Sequence, residues 1–270
     1  MTGLATVRQL STLSGSECSI RSGQRPIGLC PVRRRQEMNS VNKSARIAGF
    51  LYLIYMVVHI LADVIGRSRL IVLGDAATTA RNIAASAGQF RIGIMTDLVA
   101  AVLFLLTAWA LYVLLKRVNE NIALLFLLLN LTGVAIQCFS DLFLLASQLL
   151  LGGADYLKVF PAEQLPALAM LSLVLYKNGF MIAQIFYGAW LFPLGYLVFK
   201  SGFLPRILGL VLMLHCAFWL MTDLQFFLFP GFAAITYISW PLGFIAEFGL
   251  TLWLLIKGAK EQKPAANEAG

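Results

Sequence analysis

Charge is what this chain is short of. Acidic and basic side chains make up 13% of its 270 residues, about half of what a soluble globular protein carries. That excludes a disordered chain and an ordinary soluble enzyme. Histidine is scarcer still, with two in the chain. Of the four cysteines, Cys18 and Cys30 lie near the N-terminus and Cys138 and Cys216 in apolar runs. No CxxC occurs, so neither a zinc ribbon nor a disulfide framework is indicated, and the last two read as small buried hydrophobes. There is no P-loop, GxGxxG, GxSxG, HExxH or GxxxG. What the chain does have is apolar surface: 59% of its residues are hydrophobic, with a mean hydropathy of +0.80. The class left standing is an integral membrane protein.

The net charge of +8 is uneven. Residues 1–46 hold eight Lys and Arg against Glu17 and Glu37, and residues 257–270 hold three Lys against two Glu. The body between carries ten bases and nine acids. Positive charge at the ends of apolar segments sets membrane orientation, so no nucleic-acid partner is expected; membrane lipids are the expected partners, with room for a small-molecule or ion ligand of unknown identity. Residues 1–37 are rich in Ser, Gly and Arg, with Arg33, Arg34 and Arg35 just before Met38, and lack the apolar region of a secretory signal. They read as a disordered or mis-annotated basic extension, with Met38 the preferred start and a transit peptide the alternative. Residues 38–258 form the transmembrane domain and 259–270 a short cytoplasmic tail.

Six apolar runs are long enough to cross a hydrocarbon core, which takes about 20 helical residues. They fall near Ile47–Ile65, Ile92–Leu115, Ile122–Leu151, Gly179–Phe199, Ile207–Phe229 and Ile235–Ile256. Backbone N–H and C=O groups find no water in lipid, and none of these runs alternates as a barrel strand does. The fold expected is therefore an all-α polytopic transmembrane helical bundle of six spans. Leu165–Tyr176 is apolar but short, and reads as an extra-membrane extension of span 4; a seventh span is the runner-up. With the N-terminus inside, the inner segments hold nine Lys and Arg (fifteen counting those before Met38) against six outside. Both termini are thus expected in the cytoplasm, in an inner (plasma) membrane.

The first outer loop, residues 66–91, is long for a connection. Asp75 is placed to cap a short helix. Ala76, Ala80, Ile83, Ala87 and Phe90 make one apolar stripe, fitting a helix lying in the interface or, second, a lid over a cavity. In Ser201–Gly209, SGFLPRILG, Gly202 can end span 4 in a left-handed cap and Pro205 can open span 5. Pro193 and Pro241 are candidate kinks. Trp190, Trp219, Trp240 and Trp253 read as packing or interface anchors.

This last segment also carries a resemblance. Together with Lys43–Ile54 (KSARIAGFLYLI), Arg67–Ala80 (RSRLIVLGDAATTA) and Phe90–Ile94 followed by Asp97 and Leu98, it resembles the bacterial membrane protein family known as domain of unknown function 4386. The likeness covers roughly residues 40–258. It implies a polytopic inner-membrane protein of unknown activity, and it supplies no catalytic residues, metal or cofactor.

Ionisable groups inside the spans are costly in lipid and should face the bundle interior or a water-filled cavity. By helix rise, Asp63, Asp141 and Asp223 lie about 24–28 Å above the inner ends of their spans, and Asp97 about 8 Å below the outer end of span 2. Glu247 and His215 lie deeper, at similar depth. Tyr52, Tyr55, His59 and Asp63 share one face of span 1; Asn130, Gln137 and Asp141 form a polar stripe on span 3. A polar, outward-biased cavity is expected between spans 1, 2, 5 and 6, lined by His59, Asp63, Asp97, Asp223 and Glu247, with His215 level with Glu247. The preferred function is structural, accessory or small-ligand-binding, with Asp63 and Asp97 pairing Arg67, Arg69 or Arg91. A carrier or ion- or proton-coupled transporter is the first alternative. The second is an intramembrane metal-dependent hydrolase with His59, Asp63, His215 and Asp223 as ligands, although HxxxD is a weak pattern. An enzyme is the less favoured class, and no metal or cofactor is expected.

Overall fold

The computed structural model describes residues 31–229 and 234–259. Every regular element among them is helical. Six helices are long and apolar enough to cross a membrane: Met38–Arg67, Ala87–Leu115, Glu120–Leu150, Leu165–Lys200, Arg206–Leu228 and Thr236–Lys257. These are spans 1 to 6. Each packs against its neighbours in sequence, and span 6 returns to span 1, closing a ring. Most of the basic N-terminal extension, with Cys18 and Cys30, and nearly all of the C-terminal tail lie outside the described residues. The first helix begins at Pro31, so no break in secondary structure marks Met38.

The bundle is apolar outside as well as inside. Phe139, Phe192, Ile207 and Trp240 are each more than half exposed, a distribution that suits lipid and would aggregate in water. Inside, Trp190 of span 4 is almost fully buried at the centre of an aromatic layer. Phe104 and Phe126 meet it edge-on at 5.1 and 6.1 Å, and Tyr52 does so at 6.4 Å. Tyr55 stacks flat on Phe104 at 4.2 Å. The layer joins spans 1 to 4 and fills the middle of the bundle with carbon.

The turns follow the local chemistry of their residues. Asn119 accepts a hydrogen bond from the Ile122 N–H at 3.1 Å and caps span 3. Gly202, at φ +70°, ends span 4 in the left-handed region, and Pro205 stands extended at the cap position of span 5. Asp75 accepts from the Thr78 N–H at 2.9 Å and opens a loop helix, Ala76–Ala85. That bond holds the exposed Asp75 carboxyl below its ordinary pKa, since it favours the ionised form. The loop helix packs on the bundle, with Ile83 in a small core with Leu70, Phe90, Leu144, Leu173 and Tyr176. At 36 residues, span 4 is about 54 Å long. Its first turns, Leu165–Tyr176, continue it beyond the hydrocarbon thickness and meet that loop helix, so they add no seventh span.

Three spans carry irregular turns. Span 4 is interrupted at Trp190, between Leu165–Ala189 and Leu191–Lys200, three residues before Pro193. Span 1 passes into a π-helical segment at Ala62–Arg67. Span 6 does so at Phe244–Phe248, three residues after Pro241, whose missing N–H interrupts the α-helical ladder. Single π turns inside α-helices recur at functional sites. Here they hold Asp63 and Arg67 in the first case and Glu247 in the second.

Candidate functional site

At the end of the bundle that carries the long loop, the π turn of span 1 brings Arg67 inward. Its guanidinium pairs with Asp97 of span 2, which is fully buried, and reaches Asp63 one turn back at 3.4 Å. The Asp63 side chain is 55% exposed and gives the cluster a polar edge. Arg67 also lies over the Tyr176 ring at 5.8 Å. Gln89 donates to the Ile65 carbonyl at 2.6 Å, occupying an acceptor of the π turn. Spans 1 and 2 come this close because glycines meet where they cross: a Cβ on Gly66 would lie 2.4 Å from the Gly93 Cα. One cation thus faces two carboxylates.

A second polar group lies about 22 Å further along span 1, counting from Arg67 to Tyr52. Tyr52 donates its hydroxyl hydrogen to Glu247 of span 6 at 2.5 Å. The other carboxylate oxygen of Glu247 stands 3.5 Å from Nε2 of His215 on span 5, within ion-pair range for a protonated ring but without hydrogen-bond alignment. His215 is fully buried, and its second ring nitrogen also lacks a partner. The ring has room because residue 243 is glycine; a Cβ there would sit 2.5 Å from His215 Cε1. No Arg or Lys pairs with this carboxylate among the described residues.

His59 lies between the two groups. It stacks on Tyr55 at 5.8 Å and on Phe180 at 6.5 Å, and its Nδ1 is buried without a partner. Asp223 is buried on span 5 and, among the described residues, forms no ion pair and has one carboxylate oxygen unpartnered. The span 3 stripe is buried throughout. Gln137 accepts from the Tyr187 hydroxyl at 2.8 Å, while Asn130 and Asp141 have unpartnered oxygens.

The residues expected to line one cavity therefore stand in two groups. Asp63 and Asp97 meet through Arg67; His215 meets Glu247; His59 lies between, and Asp223 joins neither. The four ligands of the hydrolase reading do not converge, and no three His, Cys, Asp or Glu among the described residues form a metal-holding group. Arg67, expected with Arg69 and Arg91 as a partner for Asp63 and Asp97, is the one that meets both. Two participants were missed in the sequence. Tyr52 was noted for its face, without its partner 195 positions away. Gly243 gave no signal at all, since its need is set by a histidine on another helix.

Comparison with known proteins agrees with this architecture. A family model described as "Domain of unknown function (DUF4386)" matches residues 47–258, nearly the whole membrane body. An "Uncharacterized protein" of Archaeoglobus fulgidus is 35% identical over 82 residues, which is 29% of this chain. The matched stretch spans 46% of that relative, just under half its length. No solved structure matches.

Proposed function

The chain belongs to the family of domain of unknown function 4386, and from that premise we propose that it is a proton-linked carrier of a small solute, with Glu247 as its proton site. The observation that carries this reading is the contact of Glu247 with Tyr52 at 2.5 Å and His215 at 3.5 Å, deep in the bundle and without a fixed cation among the described residues. In this reading Glu247 accepts the proton and the histidine beside it shares or relays it. His59 supplies a second titratable ring on the way to the exposed Asp63. The π turn at Phe244–Phe248 gives span 6 a local alternative in helical register at the proposed proton site.

The test is a proteoliposome assay with a trapped pH dye and a panel of amino acids, monocarboxylates and organic cations added outside. At least one solute class should change the internal pH, and Glu247→Gln should abolish that change. If no class does so, while Glu247→Gln alters only thermal stability, the carrier reading falls. A structural or accessory role is the second reading. It is favoured by the Arg67 cluster, which balances its charge internally, and by the aromatic layer that fills the bundle centre.

We further place the chain in the inner membrane with both termini in the cytoplasm. The excess of nine Lys and Arg in the inner segments over six in the outer ones supports that orientation. Alkaline phosphatase fusions at residues 78 and 158 should be active; inactivity at both would reverse the orientation.

A further inference from the structure

At the opposite end from the long loop, a groove of about 610 Å³ opens between the start of span 1 and the end of span 6. Its walls are Asn39, Asn42, Lys43, Arg46, Ile47 and Phe50, with Leu255 facing them. On span 1 these residues follow at steps of three, one, three, one and three, so they form one helical face. The face is graded along its length: two amides, then two cations, then two large apolar side chains that are about half exposed. Asn42 Oδ1 is already committed to the Ala259 N–H at 2.7 Å, which fixes the amide and leaves its NH₂ to donate into the groove. Lys43 and Arg46 are exposed and have no acidic partner among the described residues.

We propose that this groove binds the headgroup of an anionic phospholipid. A phosphodiester carries the charge that Lys43 and Arg46 lack, and Arg46 can grip two of its oxygens. The amides of Asn39 and Asn42 suit the hydroxyls of a glycerol headgroup. From Lys43 to Phe50 the helix rises about 10 Å, which carries the groove from the headgroup layer into the first carbons of the hydrocarbon core. Ile47, Phe50 and Leu255 then lie along the upper acyl chain. The occupant is thus chosen by complementarity at both ends, anionic at the headgroup layer and apolar toward the hydrocarbon core.

The experiment is thermal unfolding and native mass spectrometry of the full chain in mild detergent, titrated with phosphatidylglycerol, phosphatidylcholine or inorganic phosphate. Phosphatidylglycerol should raise the melting temperature and remain bound as one retained lipid. In the double variant Lys43→Gln, Arg46→Gln its affinity should fall about 30-fold, since each cation near an anionic surface contributes about fivefold. Both positions are exposed, so the variant should keep the wild-type melting temperature without lipid; Phe50→Ala should weaken lipid binding without affecting any response to phosphate. Equal stabilisation by phosphatidylcholine would overturn the proposal, and so would an equal response to inorganic phosphate alone. Undiminished phosphatidylglycerol binding by the folded double variant would overturn it as well.

Discussion

The two polar groups on span 1 solve the same problem in opposite ways. At the long-loop end, Arg67 compensates Asp97 and Asp63, so the buried charges are paired where they lie. At Glu247 the partners are a phenol and an imidazole instead of a fixed cation. The first arrangement resists change, because breaking it strands a charge in a medium that cannot solvate it. The second holds no fixed cation among the described residues, so altering it strands no partner charge. A bundle with one fixed and one adjustable centre has a rigid end and a responsive end, and the aromatic layer of Tyr55, Phe104 and Trp190 lies along the path between them.

The contrast can be broken most forcefully at Arg67. Arg67→Met leaves Asp97 buried without a cation and should cost about 3–5 kcal/mol. Adding Asp97→Asn should restore much of it, as read by a double-mutant cycle of unfolding in detergent. Two additive losses would show that the pair is not a unit. Next comes Gly243→Ala, whose new methyl meets His215 and should cost about 1–3 kcal/mol; a wild-type melting temperature would mean that His215 can move freely. Glu247→Gln should change stability by less than about 1 kcal/mol, since Tyr52 can donate equally to an amide oxygen. A loss as large as that of Arg67→Met would erase the distinction between the two centres. The smallest effect is expected at Asp75→Ala, a local fraying of the loop helix seen as faster amide exchange at Ala76–Thr79. Because folding lowers the Asp75 pKa, its contribution is present above pH about 4 and disappears as the pH falls through the folded value. Exchange in this helix that is insensitive to acid would remove the cap from the account.

The six spans were legible in the sequence because a membrane reads length and hydropathy directly. The Asn-free apolar runs end where Lys116, Lys200 and Lys257 begin, and the helices end with them. Asp75, Gly202 and Pro205 were legible too, since caps and turns depend on neighbours in sequence. The site was legible only as a roster of costly residues. Which acid meets which base depends on helix rotation and on crossings that periodicity does not specify. Arg67 shows the difficulty: hydropathy ends span 1 at Ile65, yet the helix continues through a π turn, which redirects the arginine inward to an aspartate thirty positions on. Glu247 and Tyr52 lie further apart still, and no local rule couples them.

The contact between Gly66 and Gly93 has a mechanical meaning. With no side chain between them, the two backbones touch at one point, one residue before Arg67 and four before Asp97. Such a point is a fulcrum. Tilting span 1 about it hardly moves the ion pair beside it, while Tyr52, about 21 Å down the lever, swings by about 4 Å for every 10°. Such a tilt would carry the phenol away from Glu247, while the Arg67–Asp97 pair beside the contact would stay in place.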